Sequence, residues 1–319
     1  MAASPLQLHI PDGFLSPAVA GLGWALAAVL LVFAVRRTGR QLGDRTVPMM
    51  GVLAAFIFAA QAINFPVAAG TSGHLIGAAL AGIVLGPWAS LVVMTVVVGT
   101  QALLFQDGGL IALGWNIVNM GALAACGGYA AYQVVVRLGA NTRASRLGGA
   151  FVAAWVSVEA GAIATTFELA ASGTTDINLA LPAMASVHAL IGIGEGVLTL
   201  GALTILMASR PEVLRQSEET PGRRPAVFIL GGVALALLLA LAAPLASSSP
   251  DGLQAVARTQ GFAGMQGGTW SAPVANYLFP GVGNPAWATV AAVAVGTLVA
   301  FGFAIGLGRL SRRRGRAAG

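Results

Sequence analysis

Histidine is scarce in this chain, and its three copies, His9, His74 and His188, are the residues best equipped to bind something. A neutral imidazole is a preferred ligand of Zn, Cu, Ni and Co, so three that met would make a metal site. A lone histidine near a membrane surface serves equally as a helix cap or hydrogen-bond partner, and spacing alone leaves both readings open. Two carboxylates, Glu159 and Glu195, stand inside apolar runs. Immersing such a group in hydrocarbon is costly. Each is therefore either functional or a hydrogen-bond partner within a polar cluster that includes Asn64, Gln101, Asn116 and Asn119. Glu195 lies seven residues after His188, on the same helical face two turns on. Its setting, GIGEG, permits a neighbouring helix to approach closely. His9 sits in LHIPDGFLSP, an unusually structured lead-in to an apolar run, and His74 ends the Gly-rich FPVAAGTSGH. That segment and FQDGG suit tight turns folded back into the mouth of a bundle.

The elements that must position these residues are membrane helices. With 57% hydrophobic and 9% charged residues and a mean hydropathy of +0.82, the chain has more apolar surface than a soluble fold could bury. It reads as an all-α, polytopic transmembrane bundle. Runs long enough to cross about 30 Å of hydrocarbon predict nine spans, at 16–36, 47–66, 74–86, 88–105, 114–138, 147–170, 182–208, 226–246 and 286–308. The third and fourth are divided only by Gly86-Pro87-Trp88, where proline suits the first turn of a new helix. Strict alternation puts 16 of the 17 basic residues on one side, with Arg258 alone on the other. That excess marks the cytoplasmic face, with the N-terminus outside and the C-terminus inside. All three histidines then fall at or near the outer face. The pI of about 10.9 follows from cytoplasmic anchors, so no nucleic-acid partner is implied. Residues 1–11 carry no positive charge and do not read as a secretory signal. The lone Cys126 cannot form an intrachain disulfide.

Four stretches carry a family resemblance: HIPDGFLSP (9–17), residues 64–97 from NFPVAAGTSGHL onward, QALLFQDGGLIALGWNIVNMG (101–121) and HALIGIGEG (188–196). They resemble the CbiM/NikM family, the substrate-capture components of energy-coupling factor (ECF) transporters for cobalt and nickel in bacterial or archaeal cell membranes. PDGLQAVARTQGF (250–262) is similar to the PDGL segment of the small companion subunit of those transporters, with Gln254 where a glutamate is usual. The resemblance implies a metal-capturing domain at 1–208, a charged cytoplasmic linker at 209–225 and a two-helix companion domain at 226–319. It implies Ni(II) or Co(II) as transported substrate, no organic cofactor, and as partners a transmembrane coupling subunit and cytoplasmic ATPases. It also implies a ligand set: a terminal amine, the amide nitrogen and imidazole of the next residue, and the imidazole of the GTSGH histidine. Amine and amide close a five-membered ring and amide and imidazole a six-membered one, a planar nitrogen set suited to Ni(II) and acceptable to Co(II). Carried over, the ligands are His9, His74 and the backbone amine of Leu8, should translation begin at Leu8. His188, Glu195, Asp12, Asn64 and Ser72 would surround the ion or its path.

The chain contains no lysine, so a Gly-Lys-Ser/Thr phosphate loop is impossible and ATP hydrolysis must come from partners. The small-residue row Gly21, Ala25 and Ala28 is either a docking face for the coupling subunit or ordinary packing within the bundle. The companion-like tail is expected to serve transport more than capture. Two alternatives carry less. A proton- or ion-coupled secondary transporter relaying through Glu159 and Glu195 should show similar halves, and none is visible. An intramembrane metalloenzyme would need an HExxH-like pairing, which His188 and Glu195 lack.

Overall fold

The computed structural model describes residues 9–41, 46–209, 225–268 and 270–317. Leu8 and the predicted linker, apart from its edges, lie outside the described residues. Helices follow the apolar runs: α1 (Pro17–Gln41), α2 (Thr46–Gln61), α3 (Ala78–Leu85), α4 (Pro87–Thr100), α5 (Leu113–Ile117), α6 (Ala124–Leu138), α7 (Arg143–Ala171), α8 (Ile177–Ser209), α9 (Pro225–Ala242), α10 (Gly252–Thr259) and α11 (Pro285–Ala317). Five helical stretches, Pro17–Arg40, Pro87–Phe105, Arg143–Ala171, Ile177–Ala208 and Pro285–Arg313, are long and apolar enough to cross a membrane. Thr46–Gln61 and Ile229–Leu245 are shorter apolar helices.

Local signals account for most boundaries. Pro87 opens α4 after Gly86, whose φ of +80° suits glycine. The Thr142 side chain accepts the Ser145 N–H and starts α7 at Arg143, four residues before the predicted start. Asp176 accepts the Asn178 N–H at 2.8 Å and starts α8 at Ile177, so Pro182 falls inside the helix rather than at its head. The larger departure is around His74. The predicted second span ran to residue 66 and the third began at 74, but α2 stops at Gln61. The intervening chain forms a small hairpin, with β1 (Phe65–Pro66) antiparallel to β2 (Ser72–Gly73). His74 is therefore in extended chain, and α3 has only eight residues, about 12 Å of rise and too short to cross alone.

Two helices change pitch beside the site. α4 continues as a π turn at Gln101–Phe105, and a second π turn, Val118–Leu123, joins α5 to α6. Such turns recur at functional positions, because the extra residue re-aims the side chains around it.

α2 packs against both α9 and α11, which seats the tail on the first half of the chain. The fit is close: a Cβ on Gly232 would lie 2.4 Å from Val52, and one on Gly296 2.1 Å from Phe58. α1 presents an apolar outer face, with Leu22, Val29 and Phe33 more than half exposed. Gly21, Ala25 and Ala28 lie on exposed positions of the same helix, so packing among the described residues does not account for that row.

Candidate metal site

His9 is buried, and the residues after it are tied to the segment around Gly109. Asn116 grips the main chain of Ile10 with both ends of its amide. Its Oδ1 accepts the Ile10 N–H and its Nδ2 donates to the Ile10 carbonyl, each at 3.1 Å. The Gly109 N–H donates to the same carbonyl at 2.9 Å. Asp12 turns away from His9 and accepts three consecutive N–H groups, from Leu110, Ile111 and Ala112, at 3.1, 2.8 and 3.2 Å. Three main-chain N–H groups converging on one carboxylate hold it in place, so Asp12 is an anchor. Gly13 allows the turn, at φ +93°, where a Cβ would strike the Met265 carbonyl.

The His9 imidazole meets Asp107 of FQDGG: Nδ1 lies 3.2 Å from Oδ1, with both side chains buried. The other nitrogen, Nε2, is buried with no hydrogen-bond partner. Tyr277 of the tail donates its hydroxyl to Asp107 Oδ2 at 2.7 Å. Burial, with the Asp107 charge beside it, drives the tyrosine hydroxyl further above its ordinary range.

His74 stands next to His9, with ring centroids 5.9 Å apart and planes inclined by 64°. Two imidazoles on one ion, with metal–nitrogen bonds of about 2.0 Å, put their centroids roughly 4.5–6.5 Å apart. The spacing fits. The segment carrying His74 is fixed from two sides. Glu195 accepts the Ile76 N–H at 2.6 Å and the Gly77 N–H at 2.9 Å, and Gln61 donates to the Ile76 carbonyl at 2.7 Å. Ser72 is held by the tail, its N–H on the Pro250 carbonyl and its hydroxyl on the Ser249 carbonyl, each at 2.8 Å.

A cavity of about 90 Å³ lies between these parts, lined by His9, Ser72, His74, His188, Asn116 and Asp251 among others. His188 gives Nδ1 to its own helix, 2.7 Å from the Met184 carbonyl, and its ring rests on the tail, where a Cβ on Gly252 would come within 2.6 Å of Cε1. Asp251 caps α10 through the Gln254 N–H at 2.7 Å. Burial pushes its carboxyl up to about 7, the Asp107 charge adding to the rise and the hydrogen bonds and His9 opposing it.

Of the residues singled out in the sequence, His9, Ser72, His74 and His188 share this cavity. Asp12 and Glu195 do not line it, and each instead fixes a segment that does. Asn64 is buried beside the tail, its carbonyl accepting the Ser247 N–H at 2.8 Å. Glu159 is buried in α7 and does not line the cavity. Among the described residues, no three His, Cys, Asp or Glu side chains are grouped to hold an ion. The two imidazoles therefore need further donors to hold one. Asn116 and Asn119, named in the sequence only as part of a polar cluster, line the cavity too, whereas Asp107, Asp251 and Tyr277 were not legible as site residues. FQDGG drew attention only as a turn, and nothing local joins Tyr277 to His9.

Comparison with known proteins bears on both parts of the chain. Residues 9–213 match the family model described as the cobalt uptake substrate-specific transmembrane region, CbiM, and residues 226–313 match a PDGLE domain. A protein of Archaeoglobus fulgidus that carries the provisional name fused nickel transport protein NikMN is 35% identical over 307 residues, 96% of this chain and 99% of that one. The fused nickel transport protein NikMN of Rhodobacter capsulatus is 29% identical, over 97% of this chain and all of the other. A crystal structure of a truncated transition metal transporter superposes with a TM-score of 0.57 at 34% identity, covering 63% of this chain and 99% of its own.

Proposed function

The chain belongs to the CbiM family of cobalt-uptake substrate-specific transmembrane regions, and from that membership we propose that it captures Ni(II) or Co(II) at the outer membrane face for an ATP-driven ECF importer. It is a multi-pass, predominantly helical membrane protein and a metal-transport component, not an enzyme. One observation carries the reading: His9 and His74, 65 positions apart in the sequence, are brought ring to ring at 5.9 Å beside a cavity of about 90 Å³.

His9 and His74 are the side-chain ligands in this proposal. Should translation begin at Leu8, which lies outside the described residues, its backbone amine completes the donor set that the family resemblance implies. The six-membered ring of that chelate closes through Nδ1 of His9, whereas Nδ1 here faces Asp107 and Nε2 is the nitrogen without a partner. Capture through Nδ1 requires the ring to leave Asp107, and capture through Nε2 does not. Asp107 and Asp251 near His9 favour a cation there.

The nine-span topology with the N-terminus outside, the capturing domain at 1–208, the linker at 209–225 and the companion domain at 226–319 are part of the same proposal, supported by the one-sided distribution of arginines. So are the partners. A chain without lysine has no phosphate loop of its own, and the exposed small-residue face of α1 suits a coupling subunit. The test is titration of the purified full chain with Ni(II) and Co(II), followed by uptake in vesicles that also hold a coupling subunit and ATPases. Tight binding with ATP-dependent uptake is expected. Uptake that persists without ATPases and follows a proton gradient would sink the ECF reading.

A further inference from the structure

A second polar cluster stands beside the cavity, away from the histidines. Asn119 is 3% and Glu168 5% exposed. The Asn119 amide nitrogen donates to Thr165 Oγ1 at 3.2 Å and to Glu168 Oε2 at 3.0 Å, which uses both of its N–H bonds. Two oxygens of the cluster are left over. Asn119 Oδ1 and the second carboxyl oxygen, Glu168 Oε1, are buried without a hydrogen-bond partner among the described residues. A buried acceptor left so is costly, and a carboxylate more so. No basic side chain is paired with Glu168 among the described residues. On its own helix the nearest arginine, Arg146, is 22 positions back, about 33 Å along the axis. Thr165 and Glu168 are three residues apart and so share one face of α7. Asn119 meets them from the π turn Val118–Leu123, the kind of irregularity that re-aims side chains at functional positions. Asn119 and Thr165 line the cavity, next to Met120, Val158 and Ala162.

We propose that Glu168, Asn119 and Thr165 form a second cation site, one that takes a monovalent ion such as sodium. The donor set is a carboxylate, an amide carbonyl and a hydroxyl. Such oxygens suit hard cations, whereas imidazole suits Ni(II) and Co(II). Charge then selects the valence. A single carboxylate balances a single positive charge, and a divalent ion would leave a net charge against the apolar wall made by Met120, Val158 and Ala162, which is expensive. The bound ion ties α7 to the π turn, three residues on from Asn116, whose amide grips the main chain of Ile10. It braces the segment that holds the lead-in without touching either histidine. The site does not depend on His9 or His74 being ligands.

The experiment uses the full chain, purified in choline chloride, stripped of divalent metal and incubated with radioactive sodium. The wild type is expected to bind sodium saturably, with unlabelled sodium displacing the label and Ni(II) failing to do so. Glu168→Gln keeps the shape and removes the charge, and should lose this binding. Thr165→Val replaces a hydroxyl by a methyl of similar size and should weaken it about tenfold, which keeps the test open where the glutamine variant does not fold. Sodium in place of choline at equal ionic strength should raise the wild-type melting temperature and leave that of Glu168→Gln unmoved, because an ion that binds only the folded chain stabilises it. His74→Ala should keep sodium binding while losing Ni(II), which separates this site from the histidine site. A wild type without saturable sodium binding, or wild-type sodium affinity in Thr165→Val and Glu168→Gln, overturns the proposal. Displacement of sodium by Ni(II) from the His74→Ala chain overturns the monovalent assignment.

Discussion

Removing the His74 imidazole takes away one of two facing rings while leaving the clamp on Ile76 and Gly77 untouched. We expect His74→Ala to abolish measurable Ni(II) and Co(II) binding with little change in thermal unfolding, read by calorimetric titration and a melting curve. His188 differs in kind. Its Nδ1 is committed to the Met184 carbonyl and its ring is packed on Gly252, so His188→Ala should weaken binding by roughly ten- to a hundredfold without abolishing it, as loss of a neighbour to the ligands does. Equal and complete loss in both variants would make His188 a ligand. Glu195 gives a stability prediction. Its carboxylate accepts two buried main-chain N–H groups, and in Glu195→Gln one of them faces an amide donor instead. The expected cost is about 1–3 kcal/mol of stability, with weaker metal binding because the His74 segment loosens. A melting curve identical to wild type would contradict the clamp.

At the scale of elements, the site depends on two irregular segments held by polar side chains rather than by helix packing. The lead-in at residues 9–13 lies against residues 107–112 so closely that glycine is required between them. A Cβ on Gly109 would come within 2.0 Å of Asp12 Oδ1 and 2.3 Å of its main-chain nitrogen. Gly109→Ala must push Asp12 off its three N–H donors. It should lower stability by about 1–3 kcal/mol, as overpacking does, and carry His9 out of register with His74. Metal titration of a folded Gly109→Ala chain checks this, and wild-type affinity there would show that the Asp12 anchor does not set the position of His9.

At the scale of the whole chain, the tail is packed into the bundle and also reaches the cavity. α9 and α11 cover α2, while Asp251, Gly252 and Leu253 line the cavity. The expectation that the tail serves transport more than capture therefore widens to include capture. A chain ending near residue 224 should bind Ni(II) more weakly, unfold at lower temperature and support slower uptake beside its partners. Radioactive nickel uptake and titration of the truncated chain test this. Uptake as fast as that of the full chain would leave the tail without a role in the site.

The sequence by itself determined the class of molecule, because hydrophobic length and turn chemistry are local. The apolar runs and the Gly86-Pro87 break fix helices largely where they were expected. The scarcity of histidine likewise singled out His9, His74 and His188 before any geometry, and the family resemblance chose the first two as ligands. The exception among the elements is also local in cause: residues 62–66 and 74–77 are apolar enough to read as span ends, yet Pro66 and the glycines let them join the turn between them in a hairpin tied through Ser72 to the tail. Only the tertiary structure decided the rest. It put Glu195 and Asp12 to work as clamps on main-chain N–H groups, which no side-chain pattern announces. It also brought Asp251 and Tyr277 from the far end of the chain to the two histidines. Contacts across 170 positions are set by how α9 and α11 pack on α2, and neither periodicity nor spacing carries that information.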